Sequence, residues 1–548
     1  MTNRFRPLLA TLMASALSFP VAAYAQDAGI PTPQADITAP ADLPVKPIAK
    51  PVVHGKKAHA APVVKPILDA APEKLDPAAE MTYTTQVDVD AEMTAGNATD
   101  QTQSLFDAMR WAYDHSSTIR AAREQLLAVQ ENLPQAQSGW KPTATAGAGV
   151  TKTWLDTTPK TVGGNGGTEK DLTLSVNQPL YRGGRTMSGV SNAKNIIMAQ
   201  RALLNGTESQ VLLNVVTAYM NVLRDQSLLD LATNNRDVIN KQLDATNARF
   251  NVGDVTRTDV SQARARLADA ESGIISARGN LQSSRAVYTQ VVGMPPGRLS
   301  MPKMTMPIPP SLDESVGMAM RYNPYVIAAQ FTEDAAKDNV TLVDGELLPT
   351  VGLNGGVTRA YDPSPGTFQD QTVKSIGINA TIPLYEAGSV RSRVRQAKSI
   401  SSQRQVEVLQ SQESAREQTV SSWETLQATT AEIDSRKEQV KANAIARDGV
   451  HKEAELGTRT ILDALNADQE LLNSRSALVT ARRDEVVARY TLASAIGLMN
   501  PNAVGFPELT RDYNQHIREI SAKIFSTSTD YSPDKVDSKP TPQKPVNR

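Results

Sequence analysis

The sequence predicts a mixed α+β protein made of two copies of one unit, in which strand hairpins alternate with very long helices. Three observations predict this fold: an internal repeat at a nearly fixed spacing, paired runs of alternating apolar residues, and two proline-free stretches with coiled-coil spacing. They assign about residues 101–304 to a first repeat and about 305–511 to a second. Most of the 548 residues therefore belong to one repeated architecture.

The repeat is visible in short phrases that recur 204 residues later. VGDVTRTDV at 252–260 and LGTRTILDA at 456–464 each contain a glycine that is followed six residues later by an aspartate. QPLYRGG at 178–184 likewise returns as IPLYEAG at 382–388. Repetition at a fixed spacing is the signature of a duplicated structural unit.

Each unit contains one predicted strand hairpin, at about 140–181 and at about 348–385. Apolar residues alternate at Leu172, Leu174 and Val176, and the turn-forming segments GGNGG and DPSPGTF separate the two runs of each pair. Alternation bounded by turn formers is typical of hairpins. One helix is expected before each hairpin, over about 104–137 and about 312–343.

Very long helices are predicted after each hairpin, because no proline interrupts these stretches and small or apolar residues recur at a spacing of three and four. The predicted helices cover about 185–251 and 254–293 in the first repeat and about 389–456 and 459–497 in the second. The first would be about 100 Å long at 1.5 Å per residue. Gly253 and Gly457 then mark the turns at the tips of two helical hairpins.

The two ends of the chain differ from the repeats. Residues 1–25 have the basic start, short apolar run and small-x-small site of a secretory signal peptide. Residues 26–100 are rich in proline and alanine, and 512–548 are also rich in proline, so both are predicted to be disordered.

Composition argues against several classes of function. The net charge is −1, so nucleic acid is not expected as a partner, and the chain contains no cysteine for disulfides or thiolate sites. The five histidines are scattered without metal-ligand spacing or nucleophile–base pairing, so no enzyme, metal or cofactor is expected. A non-channel coiled-coil protein of the envelope, an adaptor or a stalk, is the alternative; it explains the long helices but not the hairpins.

Four strands in one chain are too few to close a barrel with a lumen, and open strand edges are not tolerated in hydrocarbon. Three chains would supply about 12 strands, which lies within the range of outer-membrane barrels. The helices would then extend from the barrel as a tube on the periplasmic side. Tyr181 and Tyr385 end strands at the expected membrane boundary, where aromatic rings are favoured, although ordinary strand-end packing also explains them.

The segments RFNVGDVTRTDVSQAR and LGTRTILDALNADQELLNSRSALVTARRDEV, with the paired PLY…G phrases, resemble the TolC-type outer-membrane efflux channels over about residues 101–510. The resemblance implies a homotrimeric channel-tunnel in the outer membrane of a Gram-negative bacterium. A 12-stranded β-barrel in outer-membrane lipid would continue into a periplasmic α-helical barrel that is closed by an iris.

The function implied by the resemblance is the exit duct of a tripartite efflux or type I secretion system. The duct would pass small toxic molecules or secreted proteins to the exterior. Its implied partners are a periplasmic adaptor (membrane fusion) protein and an inner-membrane transporter of the ABC or RND type.

The resemblance also assigns residues to the gate. Arg459 matches an arginine that links the inner helical hairpin to its neighbour, and Thr258 and Asp259 match its partners. Asp463 matches the first acid of the ring that narrows the periplasmic entrance, and Asn466 replaces the second. The alternative for Asp259 and Asp463 is a structural role in the first turn of a helix, where an acid is favourable to the helix dipole.

Further gate contacts are expected at Gln242 and at His451, which replaces a glutamate, while Ala454 replaces a gate tyrosine. These departures imply a more weakly held closed state. His451 raises the hypothesis of a proton switch, because imidazole titrates near neutrality, with a solvated surface histidine as the alternative. Gly253 and Gly457 are the expected adaptor contacts.

Overall fold

The computed structural model describes residues 102–154, 166–302, 306–364, 368–507, 513–523 and 526–528. The predicted signal peptide 1–25 and the predicted extension 26–100 lie outside the described residues. Within the described part, the predicted two-repeat α+β fold is confirmed.

The first repeat runs from short helices through a strand hairpin to two long helices. Its elements are α1 (Leu105–His115), α2 (Ser117–Gln130), α3 (Asn132–Gln137), β2 (Thr143–Trp154), β3 (Gly166–Arg182), α4 (Arg185–Asn251) and α5 (Arg257–Val292). A short strand β1 (Thr102–Gln103) precedes them and pairs in parallel with β4 (Arg298–Leu299), which follows them.

The second repeat has the same order. Its elements are α6 (Leu312–Tyr322), α7 (Pro324–Asp344), β5 (Thr350–Ser364), β6 (Phe368–Thr381), α8 (Ser389–Glu455) and α9 (Ile461–Ala495), followed by α10 (Pro501–Val504) and α11 (Tyr513–Ala522). Helices α4 and α8 each contain 67 residues, so each is about 100 Å long. No helix in the described part of the chain is both long and apolar enough to cross a bilayer.

The single helix expected before each hairpin is divided in the structure. Asn323 leaves the helical conformation at φ −63° and ψ 123°, because the following Pro324 disfavours a helical residue before it. The Asn323 side chain then accepts a hydrogen bond from the Tyr325 amide and caps α7. Ser116 makes the equivalent break between α1 and α2 without a proline, so only one of the two breaks has a strong sequence signal.

The four long strands form one antiparallel sheet in the order β2-β3-β5-β6, which joins the hairpins of the two repeats through β3 and β5. Residues that pair across strands point to the same face of a sheet. On one face the register aligns mainly apolar side chains: Ala144, Ala146, Ala148, Leu172, Leu174, Val176, Leu353, Val357, Ile376 and Ile378. Four basic residues also lie on this face toward the loop end of the sheet: Lys152, Lys170, Arg359 and Lys374.

The opposite face of the sheet is polar. Thr145 and Ser175 are joined by a 2.6 Å hydrogen bond between their hydroxyls, and the Asn354 amide donates to Asn379 Oδ1 at 2.6 Å. Strands β2 and β6 each pair with one neighbour in this sheet. The chain thus presents a two-faced sheet with two unpaired edges.

The largest apolar core lies where α1, α4, α5 and α9 meet. It is centred on the fully buried rings of Tyr219, Tyr288 and Phe506. The Tyr219 hydroxyl lies 2.6 Å from the Ser300 carbonyl and 2.9 Å from the Gln103 carbonyl, so it holds the β1–β4 pair against the helices.

The prediction of a disordered tail over 512–548 is wrong for the segment that forms α11. Tyr513 and Ile517 pack against an apolar cluster of the first repeat, and Ile520 is buried. The Gln130 amide donates to the Tyr513 carbonyl at 3.3 Å. Apolar residues spaced by three and four give this helix one buried face. This spacing is visible in the sequence, but the proline-rich composition of the residues that follow led to the prediction of disorder.

Candidate functional site at the helical hairpin tips

The repeated glycines lie at the turns between α4 and α5 and between α8 and α9, as predicted for hairpin tips. Gly253 has φ +85° and Gly457 has φ +76°, a left-handed conformation that glycine adopts without a steric cost. The apolar residues directly before them, Val252 and Leu456, are each 80% exposed. Each tip therefore presents a strongly exposed apolar side chain directly before its glycine.

The aspartate in each phrase completes a capping box at the start of the returning helix. Asp259 Oδ2 accepts from the Thr256 hydroxyl at 2.7 Å and from the Thr256 amide at 2.9 Å. Asp463 Oδ2 accepts from the Thr460 hydroxyl and amide at 2.8 Å and 3.1 Å. These hydrogen bonds from threonine hold the pKa of both carboxyls below its usual range, so both acids are ionised at neutral pH.

Arg459, predicted to link the inner hairpin to its neighbour, bonds within its own hairpin in this protomer. Its Nε donates to Glu453 Oε2 at 3.0 Å, and both side chains are about half exposed. Thr258 is exposed, whereas Asp259 is committed to its capping box. One protomer therefore does not bring Arg459 together with the residues assigned as its partners.

The two hairpin tips are joined to each other by apolar and polar contacts. Leu243, Ala263, Ile461 and Leu465 form a small buried cluster between the hairpins. A hydrogen bond of 2.9 Å runs from Arg266 Nη2 on α5 to Asn466 Oδ1 on α9, and another of 3.3 Å runs from Arg249 Nη1 to the Ala454 carbonyl.

His451 faces a buried acid on the next helix, and its own side chain is 21% exposed. Among the contacts of the described residues, none joins His451 to Gln242. Its Nε2 lies 3.0 Å and 3.1 Å from the two carboxylate oxygens of Asp468, whose side chain is only 5% exposed. Arg447 Nε donates to the same carboxylate at 2.9 Å. This hydrogen bond raises the pKa of Arg447. A charged cluster thus connects α8 to α9 close to the tip.

Asp468, Arg447 and Arg266 were not singled out from the sequence. A signal for Asp468 was available, since it lies four residues after Ala464 and therefore on the helix face of the coiled-coil seam. A charged residue at such a position requires a partner. Nothing comparable marks Arg447 or Arg266, which lie on partly exposed faces.

The family model described as outer membrane efflux protein matches residues 109–293 and 316–498, which are the two repeats. The outer membrane efflux protein BepC of Brucella suis biovar 1 is 32% identical over 428 residues, covering 78% of this chain and 92% of BepC. The outer membrane protein TolC of Escherichia coli K12 is 29% identical over 310 residues, covering 54% of this chain and 63% of TolC.

Among solved structures, the outer-membrane channel OprN superposes with a TM-score of 0.64 at 19% identity, covering 78% of this chain and 98% of OprN. This likeness concerns the fold. The predicted resemblance and the predicted outer-membrane location are confirmed by these matches. The chain belongs to the outer membrane efflux protein family.

Proposed function

We propose that three copies of this chain form an exit duct in the outer membrane for efflux, or for type I secretion. The observation that carries the proposal is the two-faced sheet, apolar on one side and polar on the other, with both edges unpaired. Such a sheet fits a barrel wall between lipid and a water-filled lumen. The similarity to BepC, named as an efflux protein, supports the direction of transport.

The homotrimer follows from the need to pair every strand edge in hydrocarbon. The strands contain 12, 17, 15 and 14 residues, each longer than the 9–11 or so residues needed to cross a bilayer. Four strands from each of three protomers would close a barrel of about 12 strands. Helix α4 begins at Arg185, directly after β3 ends at Arg182, and α8 begins at Ser389, one short segment after β6 ends at Thr381. A closed barrel would therefore continue into a helical tube.

The tips are the proposed periplasmic gate, with Asp463 and Asn466 at the constriction. Three-fold symmetry would bring three ionised Asp463 side chains around one axis and favour cations at the entrance. Arg459, with Thr258 and Asp259 of a neighbouring hairpin, would hold the closed state, and Gln242 and His451 would contribute contacts beside them. A salt bridge such as Arg459–Glu453, with both side chains about half exposed, is weak enough to exchange partners during opening.

The proposed partners are a periplasmic adaptor and an inner-membrane ABC or RND transporter. The exposed Val252 and Leu456, beside Gly253 and Gly457, offer the adaptor paired apolar contacts at equivalent places in both hairpins. Small exposed apolar side chains of this kind are suited to burial against another helical tip.

The proposal is tested by measuring ion conductance and reversal potential of the purified protein in a planar lipid bilayer. A cation-selective conductance is expected, and Asp463→Asn should reduce the selectivity while asparagine still accepts a cap hydrogen bond. Asp269→Asn, which removes an exposed acid from α5, serves as the matched control and should leave selectivity unchanged.

Equal selectivity of Asp463→Asn and the original protein would place the constriction elsewhere. Arg459→Ser removes the proposed closing link and should open a sealed gate. If neither the original protein nor Arg459→Ser conducts ions although both are shown to be inserted, the proposed duct is contradicted. Chemical cross-linking gives the oligomeric state, for which a trimer is expected and a monomer would contradict the barrel.

A further inference from the structure

The first turns of α8, which follow directly after the sheet, are strongly basic. Between residues 389 and 406 the helix carries five cations and no acid: Arg391, Arg393, Arg395, Lys398 and Arg404. Two of them have partners, since Arg393 pairs with Glu346 and Arg404 with Glu407. The remaining three require a separate explanation.

Arg391, Arg395 and Lys398 form one exposed stripe, defined here as the basic stripe. Their spacing of four and three residues places them on one face of the helix, and all three are exposed. The neighbouring face, with Val390 and Val394, is buried. The helix therefore packs through its apolar face and leaves the basic stripe uncovered in the protomer.

The acids of the adjacent helix α7 do not neutralise the basic stripe. Glu333 and Asp334 both pair with Lys337, and Asp338 accepts a hydrogen bond from Asn195. The fourth acid of α7, Asp344, is exposed at the end of the helix. Within the described part of the chain, no ion pair joins the stripe to an acid. The helix dipole disfavours a cation in the first turn of a helix, so Arg391 does not stabilise α8 through the dipole.

The position of the basic stripe relates it to the apolar face of the sheet. Leu384 and Tyr385, directly before α8, are 92% and 86% exposed. Along the chain, apolar strand residues are followed by an aromatic residue and then by the cations of the stripe. This order matches that of a lipid leaflet, in which the acyl chains are followed by the interface and then by the phosphate groups. In the first repeat, Lys194 on α4 is the equivalent of Lys398 and is also exposed, so the first repeat contributes a cation at the same level.

We infer that the basic stripe binds the phosphate groups of anionic phospholipids in the periplasmic leaflet of the outer membrane. The inference rests on the proposed insertion of the sheet, because insertion brings the start of α8 to the level of the headgroups. Guanidinium and ammonium groups on a helix surface bind phosphate oxygens through charge-assisted hydrogen bonds. The partner is thus a lipid surface that forms a collar around the duct.

The test compares the triple variant Arg391→Gln, Arg395→Gln, Lys398→Gln with the original protein in nanodiscs that contain phosphatidylglycerol and phosphatidylcholine. Native mass spectrometry of the released protein measures the retained lipid. The preference for phosphatidylglycerol should fall about tenfold or more in the variant, given the attraction of three cations to an anionic surface. Glutamine is a good helix former, so α8 should persist.

A matched control removes three exposed cations farther along the same helix: Arg416→Gln, Lys437→Gln and Lys441→Gln. This control should retain the lipid preference of the original protein. The inference would be overturned if the stripe variant retained as much phosphatidylglycerol as the original protein. If the stripe variant also showed an altered reversal potential with this unchanged lipid retention, the stripe would lie on the pore wall. Conductance distinguishes the two proposals: a conducting stripe variant without lipid preference supports the inference, whereas an original protein without conductance contradicts the duct.

Discussion

Replacing Asp468 by asparagine should loosen the contact between α8 and α9 near the gate. Asp468 is a buried carboxylate that receives Arg447 on one side and His451 on the other. Asparagine keeps the size of the side chain but loses the charge and one acceptor oxygen. The variant therefore breaks the cluster without creating a cavity.

The expected magnitude follows from the burial of the three groups. A hydrogen bond to a charged group contributes about 1.5–3 kcal/mol, and breaking a fully buried ion pair costs about 3–5 kcal/mol. Arg447 and His451 are 31% and 21% exposed, so water replaces part of what they lose. We expect a loss of about 1–3 kcal/mol in the local opening free energy of this hairpin.

Hydrogen–deuterium exchange of the assembled protein measures that opening directly. A loss of 1.4 kcal/mol corresponds to about tenfold faster exchange. The faster exchange should appear in peptides that contain the C-terminal end of α8 and the start of α9. Asp448→Asn is the matched control, since Asp448 also bonds Arg447, at 3.0 Å, but is 63% exposed. Exchange in Asp468→Asn that is no faster than in the control would refute the reasoning.

Three further predictions concern the turns and the tips. Ala387 has φ +53° where its repeat equivalent Gly183 has φ +63°, so Ala387→Gly should raise the free energy of unfolding by about 1 kcal/mol. In Gly183→Ala the new Cβ would meet the Gly345 carbonyl, so this variant should lower the free energy of unfolding by more than about 1 kcal/mol. Thermal unfolding measures both effects. The pKa of Asp259 is lowered, so its cap is complete above the unfolded carboxyl pKa of about 3.9 and is lost as pH falls through the folded value. The protection of the tip amides, measured relative to their intrinsic exchange rate at each pH, should therefore fall in acid. Asn466→Asp should give Arg266 a charged partner and make the conductance smaller.

The repeat, the strand hairpins and the long helices were predictable because each depends on local pattern. The predicted helix of about 185–251 coincides with α4, since the absence of proline and the spacing of apolar residues determine a helix without reference to the rest of the chain. The turn at Gly253 was predictable for the same reason: a left-handed residue at the end of a helix requires glycine.

The contacts of the candidate site were less predictable, because they depend on which helix faces which. His451 had two readings in the sequence, and neither included a buried acid 17 residues away on the next helix. The break between α1 and α2 at Ser116 was also not predictable, because no proline follows that residue. Residues that pair across helices carry a sequence signal only when, like Asp468, they place a charge on a seam that is otherwise apolar.

The two aspartates of the repeated phrase show why a role at the gate has to be separated from a role in folding. Asp259 and Asp463 make equivalent capping boxes, so the duplicated fold alone explains why both are present. A change to alanine at Asp463 removes the cap and the charge together, and any effect on conductance would then have two causes. A change to asparagine removes the charge while an oxygen still accepts from Thr460. Altered selectivity in that variant, with unchanged hydrogen exchange at the tip, would therefore report the constriction alone.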